Sequence, residues 1–209
     1  MKKKAGLILI LVSIALIFFI RREFKEVDTI AIHIGKSYGD VVRDSTFPVK
    51  SKTVIRSTEP PVVDSTWISD PVIIQFDDPD YGFILPTTIL GAVGYKKNNV
   101  STITTSPMRE TVHFNELVAL LSQLQNMLRN SGWPPEDEKK HSWLKIENNT
   151  ERTALQNLLF DQVVVVMLRI PNKYTLALNV KCYARCNDRD TKTARYLIDV
   201  SIGQDFHNR

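Results

Sequence analysis

Apolar and polar positions divide the chain into an apolar leader and a longer body in which the periodicity changes several times. Residues 5–20 run without a charge, interrupted only by Gly6 and Ser13. As a helix this run covers roughly 24 Å. That is short of a hydrocarbon core of about 30 Å, but flanking Lys and Arg snorkel and a bilayer thins locally, so the run predicts a membrane-spanning helix. Residues 29–34 then alternate and are β-branched, which predicts a strand ended by Gly35. Ser37 with Asp40 three residues on has the spacing of a capping box and opens a short helix carrying Val41 and Val42. Residues 46–71 lose the period: Pro48, Pro60, Pro61 and Pro71 fall among Ser, Thr and Lys, predicting an irregular or edge-strand stretch with residues 52–56 as its candidate extended segment.

Strand patterning returns at residues 72–76, 82–85, 88–95 and 100–105, with Lys96-Lys97-Asn98-Asn99 as the hairpin turn between the last two. The strongest helical period follows: Leu117, Leu120, Leu121, Leu124, Met127 and Leu128 share one face that covers a sheet, and Gly132 is placed to stop the helix. A short strand is expected around residues 143–146. Asn148 with Glu151 opens a second helix through Ala154, Leu155, Leu158 and Leu159. Residues 163–168 are unbroken apolar, the pattern of a strand buried on both faces, and are expected at the centre of the sheet. Residues 174–184 and 196–202 alternate cleanly, with Tyr174, Leu176, Leu178, Val180 and Cys182 on one face and Tyr196, Ile198, Val200 and Ile202 on the other strand's inner side. Strands and helices come in blocks, so the expected class is α+β: an antiparallel or mixed sheet backed by two or three helices, preceded by one N-terminal transmembrane helix. The expected division is an anchor at 1–26 and a single domain at 27–209.

Composition adds a constraint on partners. Of 27 Lys and Arg and 23 Asp and Glu, six basic and two acidic residues lie in 1–26, which leaves 21 of each sign in the rest. The net charge of +4 therefore belongs to the leader, and the body lacks the basic footprint of a nucleic-acid binder. The leader has the basic start and apolar centre of a secretory signal, but Arg21-Arg22-Glu23-Phe24-Lys25 follows where a small-x-small cleavage site would stand. A lipid anchor needs a Cys just after the apolar run, and the two cysteines are Cys182 and Cys186. An uncleaved signal anchor is the favoured reading over a cleaved signal or a buried core helix. Lys2–Lys4 on one side and Arg21, Arg22 and Lys25 on the other nearly tie by charge, and the short Lys-rich tail with its signal-like layout favours the N-terminus inside over the reverse. In a bacterium the body would then stand in the periplasm, on a single-pass inner-membrane protein. That compartment favours disulfides. Residues four apart in an extended strand lie about 13 Å apart, beyond reach of a bridge. A Cys182–Cys186 bridge thus requires the chain to curl at Cys186; the turn-like Asn187-Asp188-Arg189-Asp190 allows it, and two ordinary thiols remain the alternative.

Catalytic signatures are not found. His33, His113, His141 and His207 are the imidazoles on offer, and none stands in a hydrolase, zinc-protease, phosphate-loop or dinucleotide pattern, so no enzyme, cofactor or metal is expected. Gly35-Lys36-Ser37 has the end of a phosphate loop without its beginning and reads as a strand-to-helix turn. Asp77-Asp78-Pro79-Asp80-Tyr81-Gly82 faintly resembles a calcium loop, but Thr88 stands where its closing glutamate belongs. The cluster reads as a β-turn between Phe76 and Phe83 or as an acidic contact surface. Trp133, followed by Glu136 and Asp137, reads as a core cap or as an aromatic contact anchor beside acidic residues.

A single short anchor without a loaded active site, carrying a neutral α+β body, resembles the membrane-anchored periplasmic immunity proteins that protect Gram-negative bacteria from type VI secretion effectors. Residues 81–86, the hairpin leading to Ser106-Pro107-Met108, and the helix ending in Ser131-Gly132-Trp133 are similar to small envelope proteins of that sort. Gly35-Lys36-Ser37-Tyr38 followed by Val41 is similar to the start of small envelope-assembly lipoproteins, from which this chain departs in lacking the acceptor Cys. The resemblance implies stoichiometric binding of a toxin partner. The contact residues expected are Asp78, Asp80, Tyr81, Trp133, Glu136 and Asp137, acting by steric or conformational blockade. A structural subunit of an envelope or secretion machine, assembled through the anchor and residues 46–71, is the second reading.

Overall fold

The computed structural model describes residues 26–137 and 142–205. The apolar run at 5–20 with its basic flanks, and also His141 and His207, lie outside the described residues. Among the described residues no helix is long and apolar enough to cross a membrane. The body is α+β with mostly antiparallel strands and few helices.

Two sheets form. β1 (Asp28–Ile32), β4 (Val72–Phe76) and β5 (Phe83–Ile84) make a small mixed sheet in the order β1-β4-β5, with β1 parallel to β4. Between β1 and β4 the chain runs through α1 (Tyr38–Asp44) and the single turn α2 (Val49–Lys52). It continues into the hairpin of β2 (Thr53–Arg56) and β3 (Val62–Ile68). That hairpin opens a seven-stranded antiparallel sheet completed by β6 (Gly91–Lys96), β7 (Asn99–Thr105), β8 (Val164–Ile170), β9 (Tyr174–Ala184) and β10 (Arg195–Gln204). Its strand order is β2-β3-β6-β7-β10-β9-β8.

Helices α3 (Phe114–Asn130) and α4 (Asn149–Asp161) pack on β10 and β9 respectively. Leu117, Leu121, Leu124 and Leu128 of α3 meet Tyr196, Ile198, Val200 and Ile202 of β10 and Leu176, Leu178 and Val180 of β9 in one apolar cluster that also takes in Ile30, Ile32, Ile74 and Phe76 of the small sheet. Fully burying such side chains contributes about 1.5–3 kcal/mol each, so this shared cluster joins the two sheets together with backbone bonds from Gly35 N–H to Val100 O and from Val100 N–H to Lys36 O.

The registers define an axis. β1 and β4 run the same way from Asp28 and Val72, and Thr88 bridges Val72, so residues 26–28, 72 and 88–91 lie at one end. Pairing through β6, β7, β10 and β9 adds Thr105 and Tyr183 to this proximal end. At the opposite, distal end lie the segments after β1 and β4, the β6–β7 turn and the β8–β9 turn. The Lys97 and Asn98 backbones have φ of 53° and 61°, the left-handed pair that a two-residue hairpin turn requires.

Three expectations are corrected. Residues 163–168 are not at the sheet's centre: β8 is an edge strand on which only Val166, Leu168 and Ile170 are buried, and Val163 is half exposed. Its free edge is covered in part by residues 134–136, where Arg169 N–H donates to Pro134 O and Glu136 N–H to Met167 O. Within residues 46–71 the extended edge segment expected at 52–56 is β2, but β3 is not expected there; its buried Val63, Thr66 and Ile68 do not alternate because the β2–β3 register shifts between Val54 and Ile55. Residues 143–146 form no strand. The buried Gln125 amide takes the place of a neighbouring strand there, donating to Leu144 O (3.2 Å) and accepting from Leu144 N (2.7 Å).

Candidate partner-binding site at the distal end

The acidic run after β4 is read as one cluster from sequence, but the fold divides it into three tasks. Asp77 turns inward: one carboxylate oxygen accepts from the Lys36 ammonium and the other meets His33 Nδ1 at 2.7 Å. Lys36 is buried and also donates to Ala31 O (3.0 Å) and pairs with Asp44 (2.9 Å). A buried ammonium is tolerable only with such partners. Here they tie the loop after β1 to the loop after β4 and to α1. Hydrogen bonds to Lys36 and Arg43 hold the Asp44 carboxyl below its ordinary value.

Asp78 folds back on its own turn. One oxygen accepts from the Asp80 and Tyr81 amides (both 2.9 Å), and the other accepts from the Tyr174 hydroxyl at 2.7 Å. Burial opposes its charge, but the Tyr174 hydroxyl and the two amides prevail and hold its carboxyl below the ordinary range. Burial, then the bond to Asp78, push the Tyr174 hydroxyl well up, so it stays a donor at neutral pH. Gly82 closes the turn because a Cβ there would meet Asp78 O at 2.6 Å.

Trp133 is delivered to the same place by the stop of α3. Gly132, at φ 76°, donates to Arg129 O, and Trp133 N–H donates to Leu128 O. These two bonds are a Schellman stop. The indole N–H donates to Tyr81 O (2.9 Å), while the ring stacks on Tyr174 and meets Phe76 and Phe83 edge-on at centroid distances of 5.8 Å. Trp133 is therefore buried. Of the two readings the sequence offers for Trp133, the core cap is the one its burial fits: it lies beneath the turn, as does the buried Asp78.

What is left outside is Asp80, which pairs with Lys173 at 2.9 Å, and Tyr81, whose half-buried ring lies 5.0 Å from the Lys173 ammonium. Hydrogen bonding to Asp80 raises the Lys173 pKa. Lys173 stands on the Pro171-Asn172-Lys173 turn between β8 and β9, a turn the sequence predicts without giving Lys173 a contact role. The Asp205 carboxylate, almost wholly buried, accepts from Arg169 (3.1 Å) and from the Asn172 amide (2.8 Å) beneath it. Between this turn, Gly35 and residues 96–101 lies an open cleft of about 530 Å³ with Lys96 and Lys97 on its rim. Glu136 and Asp137 are half-buried on the adjoining edge of β8, not in the turn.

The structure thus brings Asp78, Asp80, Tyr81 and Trp133 together and strings Glu136 and Asp137 alongside. The bracing pairs are far apart in sequence, 44 positions for His33 and Asp77, 41 for Lys36 and Asp77, 36 for Arg169 and Asp205 and 93 for Lys173 and Asp80, so the sequence shows His33, Lys36 and Asp77 without pairing them and gives no site role to Arg169, Lys173 or Asp205. Cys182 and Cys186 form a disulfide with Cα atoms 5.9 Å apart, the chain curling through Arg185 at φ 57° at the proximal end. Ser37 caps α1, its hydroxyl donating to Asp40 at 2.6 Å and accepting from the Asp40 amide, so Gly35-Lys36-Ser37 is a strand-to-helix turn. Among the described residues no three His, Cys, Asp or Glu side chains converge as metal ligands would. Searches with family models, among curated proteins and among solved structures return no match to this chain.

Proposed function

We propose that this chain is a membrane-anchored binding protein. Residues 5–20 hold it in the inner membrane with its body in the periplasm, and the body neutralises a protein partner by stoichiometric contact without turnover. Immunity against a secreted effector toxin is the most specific form of this reading. The observation that carries it is the division of labour in residues 77–81. Asp77 and Asp78 satisfy their charges inside the fold and stiffen the turn, while Asp80, Tyr81 and Lys173 stand on its outer side at the end opposite Glu26. A contact surface that is already ordered loses little entropy on binding, and paired rim charges set specificity and association rate.

The test is affinity capture of the full-length protein from its native membrane under high salt, followed by co-production of the captured protein with and without this chain. One stoichiometric partner whose toxicity this chain suppresses supports immunity. Capture of several envelope-machine subunits favours the structural reading, which has its own observation: Val54, Ile55, Val62 and Trp67 are all exposed on the β2–β3 hairpin at the open sheet edge. Changing Ile55 and Trp67 to Asp should then strip those subunits away.

A further inference from the structure

The end of the body at which residues 26–28 stand exposes large apolar side chains beside Glu26, Asp28, Asp70, Arg109 and Glu110. Ile89 and Leu90 directly follow Thr88, which pairs with Val72 beside Asp28, and Leu90 is 63% exposed. Met108 and Leu197 adjoin them, Tyr183 is 64% exposed, and exposed Arg109 joins this shallow groove of about 190 Å³ to the one lined by Glu26, Val27 and Asp28. From Ile20, the last residue of the apolar run, to Glu26 is six residues, which can span at most about 20 Å. A body on so short a tether cannot hold this end far from the bilayer.

We propose that this proximal rim is a second membrane contact: Ile89, Leu90 and Tyr183 enter the interfacial layer of the bilayer that residues 5–20 span, and Arg109 meets lipid phosphate. The chemistry suits a lipid surface. Leu and Ile enter the boundary between headgroups and acyl chains, a Tyr places its ring there with its hydroxyl in water, and an Arg pairs with phosphate. The contact fixes the tilt of the body and points Asp80, Tyr81 and Lys173 away from the membrane. It rests on the anchor reading, and the experiment separates the two.

Full-length protein with its native disulfide closed carries a single bimane label at Ser13→Cys, Leu90→Cys or Lys96→Cys. Each is reconstituted in phosphatidylethanolamine and phosphatidylglycerol vesicles with or without brominated acyl chains. The expected result is loss of emission at positions 13 and 90 and none at 96, with Ile89→Cys repeating the loss. Emission retained at 89 and 90 while position 13 is quenched overturns the proximal contact and leaves the anchor standing. Equal loss at 90 and 96 overturns it too, since the body then has no preferred face. Emission retained at position 13 removes the anchor itself and the contact with it.

Discussion

Removing the Asp78 carboxylate leaves the Tyr174 hydroxyl and the amides of Asp80 and Tyr81 without their acceptor beneath the distal turn. Asp78→Ala should therefore cost about 2–4 kcal/mol in urea unfolding, the range for stranding buried donors of a charged acceptor. Asp80→Ala, at an exposed pair, should change stability by less than about 1 kcal/mol. The acid limb follows from the same group. Its folded pKa is depressed, so its contribution is present above the ordinary carboxylate value of about 3.9 and is lost as pH falls through the folded value. Unfolding curves taken between neutral and strongly acid pH should show wild type losing more stability than Asp78→Asn; equal losses would mean that other carboxylates set the acid limb. Trp133→Ala should cost about 3–5 kcal/mol, as expected of a buried aromatic. At this scale the sequence showed the right residues in mixed roles. The cluster at 77–80 was legible, but Tyr174 lies 96 positions from Asp78, and nothing local distinguishes the carboxylate that points in from the one that points out.

Periodicity located most elements, and its failures have physical causes at the level of whole strands. An apolar run such as residues 163–168 says that a strand has no strongly polar side, not that both sides are covered; here β8 has one buried face and an edge closed by residues 134–136. β3 was hidden because a register shift breaks its period, and the segment at 143–146 because a glutamine amide does what a neighbouring strand would. The Gln125 clamp makes a prediction. Gln125→Leu preserves bulk but strands the Leu144 amide and carbonyl, so it should destabilise by about 1–3 kcal/mol and speed hydrogen exchange in residues 142–147 before it does so in β9 or β10. The disulfide makes another. It closes a very short loop, so replacing Cys182 and Cys186 together by Ser should cost only about 2 kcal/mol. A much larger loss would mean that the curl after β9 supports more of the sheet than its covalent bond.

The molecule as a whole has two unlike ends on one axis: one where exposed Ile89, Leu90 and Tyr183 stand among charged side chains, and an internally braced rim opposite it. The leader's charge and the neutrality of the body were legible from composition, whereas the axis needed the strand registers, which no single-chain pattern contains. The proposed stoichiometric contact with one protein partner lies at the distal rim and includes Asp80 and Lys173. The most direct measurement is the affinity of the captured partner for full-length wild type, Asp80→Lys and Lys173→Glu, with unfolding midpoints recorded for each. Both charge reversals should weaken binding by about tenfold or more at unchanged stability, as expected when like charges are set against each other in an interface. Unchanged affinity in both variants would contradict the assignment of the distal rim as the contact surface.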